Sequence, residues 1–193
     1  MTKPPRAIRT RLADVPRHYK ALGYALEQFG GEEEYVAAAT STDPRELARV
    51  YAVERPFELL EKYVIELAHL GLVETGTIGA EDSTTGREDL RSLADNDVIT
   101  KTLRDRLVEL HELRNQHVHE YPDVKAHRLY AASTALLPLV REFMSRYLTW
   151  LRPWLRSSEA GFLARESGDD LVVQQAVRGK RRAAGLVRPP VQA

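Results

Sequence analysis

The stretch from Asp43 to Leu70 constrains the fold more than any other part of the chain. Asp43-Pro44-Arg45-Glu46 is a strong helix start. It offers an N-cap acceptor, a proline at the first helical position where its missing N–H costs nothing, and a glutamate placed to complete a capping box. Leu47, Val50, Phe57, Leu60, Val64 and Leu67 then follow helical spacing to about Leu70, with Gly71 as the expected stop. Pro56 lies inside this helix, where it removes one backbone hydrogen bond and is expected to bend it. A helix of this length with one apolar stripe has to bury that stripe against other helices.

The rest of the chain agrees with a bundle. A first helix is expected from about Ile8 to Phe29, stopped by Gly30-Gly31, and Glu32-Glu33-Glu34 suits the positive end of a following helix rather than an acid-base site. Residues Glu74 to Gly86, rich in Gly, Ser and Thr, read as a loop, and Arg87 to Ala94 as a short helix. A further helix begins near Thr100 and is closed by Pro122, and Val124 to Trp154 supplies the last long amphipathic segment. No stretch alternates as a strand would. The expectation is therefore an all-α antiparallel bundle of four to five helices over residues 8–154. Residues 155–193 form a basic C-terminal extension, short-helical or partly disordered, with Arg178, Lys180, Arg181 and Arg182 as soluble charge. Trp150 and Trp154 suit a core role or a subunit contact equally well.

Composition narrows the function. Lys plus Arg equals Asp plus Glu at 28 each in 193 residues, so no bulk positive field draws in a polyanion and any nucleic-acid contact has to be local. The absence of cysteine removes disulfides, thiol catalysis and thiolate metal sites. No apolar stretch suits a secretory signal or a membrane span, so a soluble cytoplasmic protein is expected. Glycine-rich phosphate loops, the nucleophile elbow and the dinucleotide fingerprint are missing.

Chemistry concentrates in the helix that starts near Thr100. On a wheel of roughly 100° per residue, Leu103, Leu107 and Leu110 form one stripe, and Asp105, Glu109, Glu112 and Gln116 lie opposite. Extending the apolar stripe brings Arg114, His117, Val118 and Tyr121 to the inward face. An inward arginine has to be paired or to line a wet cleft, and an inward acid such as Glu54 is one partner for it. His119 falls about 140° from Arg114 on an ideal helix. The two meet only if the turn before Pro122 is distorted or if they face each other across a symmetric dimer seam. A histidine can take a proton from a ribose 2'-hydroxyl and return one to the leaving oxygen, while a guanidinium holds the phosphate, and this chemistry requires no metal. His111, His117 and His119 lack a recognised metal-ligand spacing.

The segment Arg114-Asn115-Gln116-His117-Val118-His119-Glu120-Tyr121 resembles the Arg-x4-His-x-Tyr signature of HEPN toxins (higher eukaryotes and prokaryotes nucleotide-binding domain) from HEPN/MNT toxin-antitoxin pairs. The resemblance spans roughly residues 11–151, with the helices in that family's order. It implies a type VII-like toxin: a homodimeric, metal-independent endoribonuclease without a cofactor that leaves a cyclic phosphate. Arg114 and His119 would be the catalytic pair, with Asn115 supporting them. The wheel alone favours His117 over His119, and the family spacing decides for His119. The implied partners are RNA and a minimal nucleotidyltransferase (MNT) antitoxin that silences the toxin by transferring AMP to Tyr121. The alternative is a HEPN module that binds nucleotide or scaffolds the nucleotidyltransferase without cutting RNA.

Overall fold

Three of the helices begin where a side chain supplies an acceptor for a free N–H group. In the computed structural model, which describes residues 6–119 and 126–152, Asp43 caps the longest helix by accepting from the Arg45 N–H at 2.8 Å. Glu46 does not close a capping box there but pairs with Arg49. A full capping box forms instead at Thr85, whose hydroxyl accepts from the Glu88 N–H while the Glu88 carboxylate accepts from the Thr85 N–H. The Thr100 hydroxyl accepts from the Leu103 N–H at the start of the motif helix.

The helices are α1 (Arg6–Glu27), α2 (Glu32–Ala39), α3 (Pro44–Glu74), α4 (Gly86–Asp95), α5 (Lys101–His119) and α6 (Ala126–Leu151), with no strand among the described residues. The fold is all-α, as expected. The three glutamates at residues 32–34 open α2, and Glu34 also accepts from the Gly30 N–H and pairs with Arg49. The expected extension at 155–193 lies outside the described residues, as does the segment 120–125 that contains Pro122.

The long helix α3 is the centre of the bundle and packs against every other helix. Val50, Val53, Phe57, Leu60, Val64, Leu67, Ala68 and Leu72 are all buried along it. Helix α1 runs antiparallel to α3: Arg11 pairs with Glu66 at one end, and Arg49 reaches Glu34 and the Phe29 ring at the other. Helix α6 lies beside α3 in the same direction, its Tyr147 hydroxyl donating to the Leu67 carbonyl at 2.6 Å.

Gly71 does not end α3, which continues to Glu74. The glycine serves instead to let α6 approach. A Cβ at this position would lie 2.7 Å from the Trp150 ring and 2.7 Å from the Tyr147 hydroxyl, distances that real side chains do not tolerate. Gly23, inside α1, has nothing within 4 Å of where a Cβ would stand.

The two glycines should therefore respond oppositely to alanine. Gly23→Ala is expected to stabilise the fold by up to about 1 kcal/mol through helix propensity. Gly71→Ala is expected to cost about 1–2 kcal/mol because overpacking outweighs the same propensity gain. Urea unfolding midpoints of the two variants check the pair; equal shifts in the same direction would show that α6 does not press on Gly71.

Candidate functional site

Three carboxylates, those of Glu54, Glu58 and Glu61, project from one side of α3 at helical spacing and meet three cationic or ionisable groups of α5. Glu61 is 3 % exposed, and its Oε1 lies 2.6 Å from His111 Nδ1. Its other oxygen lies 3.7 Å from Arg114 Nε. Further back along α3, Glu54 and Glu58 lie 3.8 and 3.6 Å from His117 Nε2. As α5 advances from His111 to His117 the partner residue retreats from Glu61 to Glu54, so the two helices run antiparallel with acids facing bases.

Around Glu61 the polar groups close into a ring. A carboxylate has only acceptors, so His111 Nδ1 carries the proton and its Nε2 is left to accept. Asn115 Nδ2 stands 3.2 Å from that Nε2. With its amide nitrogen spent there, the Asn115 Oδ1 is turned to accept from Arg114 Nη1, at 3.2 Å. Glu61 thus fixes a histidine tautomer, the histidine fixes an amide orientation, and the amide fixes a guanidinium, which returns to Glu61 through its Nε. Because Arg114 Nε and Glu61 Oε2 stay beyond hydrogen-bond distance, the guanidinium is oriented without being fully consumed by its counter-charge.

Arg114, expected on the inward face, is half-buried and paired, but with Glu61 rather than with Glu54. The stripe of α3 acids contains both, and the axial offset of the helices puts Glu61 opposite Arg114 and Glu54 opposite His117. Asn115 sits beside Arg114 as a supporting residue would. His117, the rival to His119, is 4 % exposed and packed against two carboxylates, a poor position from which to reach a polymeric substrate. The side chain of His119, where α5 ends, and all of Tyr121 lie outside the described residues. The reading of the sequence missed Glu61 and weighed His111 only as a metal ligand. The signal was present in the spacing of Glu54, Glu58 and Glu61, which share a helix face that otherwise buries Val50, Phe57 and Val64.

The lower end of this interface responds to pH. Burial, reinforced by the Glu58 charge, pushes Glu54 from 4.5 up to about 7. The folded protein then keeps a proton that the unfolded chain has released, so this contribution to stability falls as pH rises through about 7. His117 is held below its ordinary 6.5 by burial, with Glu58 opposing and the Arg114 charge adding. Its contribution has the other sign: it is complete above 6.5 and is lost as pH falls below that value. Above 6.5 the Glu54 effect acts without it. Glu54→Gln is accordingly expected to raise stability near pH 8 by up to about 3 kcal/mol and to remove the loss that Glu54 causes between pH 4.5 and about 7. Denaturant unfolding at a series of pH values checks this; an unchanged slope would show that Glu54 is ionised in the fold.

Comparisons with known proteins bear on the same helices. Residues 33–147, which run from α2 to near the end of α6, match the family described as "Ribonuclease HepT-like". Among solved structures, the cytosolic protein of unknown function YutE from Bacillus subtilis is similar at 20 % identity and a TM-score of 0.50. The match covers 71 % of this chain and 90 % of that one, a likeness of fold alone. A search of curated proteins found no match. No helix among the described residues is long and apolar enough to cross a membrane. With the family's match covering more than half of the chain and including the whole of the Arg114 ring, this protein belongs to the HepT-like ribonuclease family.

Proposed function

We propose that the chain is the toxin of a type VII-like HEPN/MNT pair, a cytoplasmic, metal-independent endoribonuclease. The observation that carries this reading is the Arg114 guanidinium held by Glu61, His111 and Asn115 on the motif helix of a chain from a ribonuclease family. A planar guanidinium whose orientation is set before substrate arrives matches two phosphate oxygens and stabilises the charge that grows on them in the transition state.

In this mechanism the ribose 2'-hydroxyl attacks the adjacent phosphorus, His119 takes its proton, and the departing 5'-oxygen receives a proton as its bond to phosphorus breaks. The products are a 2',3'-cyclic phosphate and a 5'-hydroxyl. Two copies of α5 in a homodimer place two such motifs on one cleft, which concentrates cationic groups in a molecule of zero net charge. Tyr121, two residues after His119, is the acceptor of AMP from the minimal nucleotidyltransferase antitoxin. A bulky anion there blocks RNA by size and by charge.

Cleavage of total RNA by purified protein in the presence of chelator tests the assignment. Wild type is expected to leave cyclic phosphate ends, and Arg114→Ala and His119→Ala to lose roughly 10²–10³-fold in rate. Glu61→Gln is expected to lower kcat about tenfold with KM nearly unchanged, because it loosens the ring without removing the guanidinium. Tyr121→Phe should cut normally yet take up no AMP from the antitoxin, as read by intact mass. A folded His119→Ala protein that cuts at full rate would remove His119 from the mechanism. Intact RNA after incubation with wild type whose Tyr121 carries no modification would favour the non-catalytic module.

A further inference from the structure

A second polar constellation stands apart from the Arg114 ring. Between the start of α1, the second half of α3 and the start of α4 lies a cleft of about 730 Å³, within the range usual for small-ligand sites. Ile65 and Leu70 supply apolar lining, and Arg6, His69, Thr84 and Asp89 bring polar groups to it. Asp89 is 2 % exposed. It accepts from the Thr84 hydroxyl at 2.6 Å, and its second oxygen lies 3.3 Å from His69 Nδ1. The same Nδ1 is 3.2 Å from the Thr84 oxygen.

The proton positions follow from this geometry. Thr84 gives its only proton to Asp89, so both groups facing His69 Nδ1 present lone pairs and Nδ1 must carry the hydrogen. In the neutral ring, Nε2 is then a bare acceptor. The His69 side chain is 34 % exposed, it lines the cleft, and its Nε2 has no hydrogen-bond partner among the described residues. The charges divide similarly. Arg11 is tied to Glu66, and Asp89 to Thr84 and His69, which leaves the exposed Arg6 as the lining cation with no ion-pair partner among the described residues. The ligand that fits brings a hydroxyl donor for Nε2, an anion for Arg6 and a flat or apolar face for Ile65 and Leu70.

A phosphate diester alone has no donor, and deoxyribose lacks the hydroxyl, whereas a ribonucleotide unit has all three. The cleft also adjoins the motif helix. Gly86 lines it, and a Cβ on Gly86 would lie 3.1 Å from His111 Nε2, the atom that faces Asn115 in the Arg114 ring. We infer that this cleft takes a ribonucleotide of the substrate strand beyond the one held at Arg114. Its 2'-hydroxyl donates to His69 Nε2, its phosphate meets Arg6, and its base lies against Ile65 and Leu70. The inference rests on RNA being the substrate, and it makes His69 a residue that distinguishes RNA from DNA.

Binding of a short single-stranded RNA and of the DNA of identical sequence, measured by anisotropy on the full chain carrying His119→Ala so that RNA survives, tests it. Adding His69→Ala is expected to weaken RNA binding about 3–10-fold and to leave DNA unchanged. Adding Arg6→Ala should weaken both. Asp89→Asn turns an amide N–H toward Nδ1 and moves the ring proton to Nε2, so the 2'-hydroxyl has to accept where it donated, and the RNA preference should fall less than it does with His69→Ala. The tautomer change itself is visible in the His69 nitrogen NMR shifts. An RNA-to-DNA ratio unchanged by His69→Ala, in protein that unfolds at the parental temperature, overturns the inference. Cleavage is assayed separately on chains with His119 intact. RNA binding that depends on His69 in a protein that cuts nothing would leave the inference standing and remove the nuclease reading.

Discussion

The buried carboxylate of Glu61 is the constraint on which the site depends. A carboxylate this far from solvent is tolerated only beside groups that offset its charge, and breaking one such pairing costs several times what an exposed pair contributes. Its partners, His111 and Arg114, are on α5. The need to satisfy Glu61 therefore fixes the rotation and the axial offset of α5 against α3. Once that register is set, His117 has to face Glu54 and Glu58, and Asn115 can complete its bridge between His111 and Arg114.

The apolar contacts leave more freedom than this polar ring does. Leu103, Leu107, Leu110 and Leu113 bury one side of α5, and leucines tolerate small slides because dispersion contacts are individually weak and non-directional. Hydrogen bonds to a fixed carboxylate do not tolerate such slides. The polar ring thus adds specificity to a helix whose leucines already supply the association. It ends on the guanidinium of Arg114, so the elements that specify the register also orient that group. Helix α4 completes the arrangement: its capping box at Thr85 and the bare backbone of Gly86 let its first turn approach Ile65 and His111, which separates the Arg114 ring from the neighbouring cleft.

Much of this was legible in the sequence. Proline and N-cap signals located the start of α3, the leucine stripe of α5 predicted its buried side, and the intrusion of Arg114 and His117 into that stripe marked where polar groups enter the interface with α3. Other features had two readings that sequence could not separate. Gly71 resembles a helix stop and is in fact a point of close helix approach. Glu46 stood where a capping box needed it and was drawn to Arg49. His69, Thr84 and Asp89 are scattered across a helix, a loop and the next helix, with no spacing that connects them.

The sequence by itself determined which residues share a face, because helical periodicity is a local property of the backbone, and it determined that α3 and α5 each carry polar groups on a face that must be buried. Which polar group meets which was decided only by the tertiary structure. Glu54, Glu58 and Glu61 occupy equivalent positions on α3 and differ only in height along it. The choice of Glu61 for Arg114 and of Glu54 for His117 depends on how far two antiparallel helices slide past each other. That offset is set by the connecting loop, by the packing of α4 and by the requirement that every buried charge find a partner, and none of these is a property of a single helix.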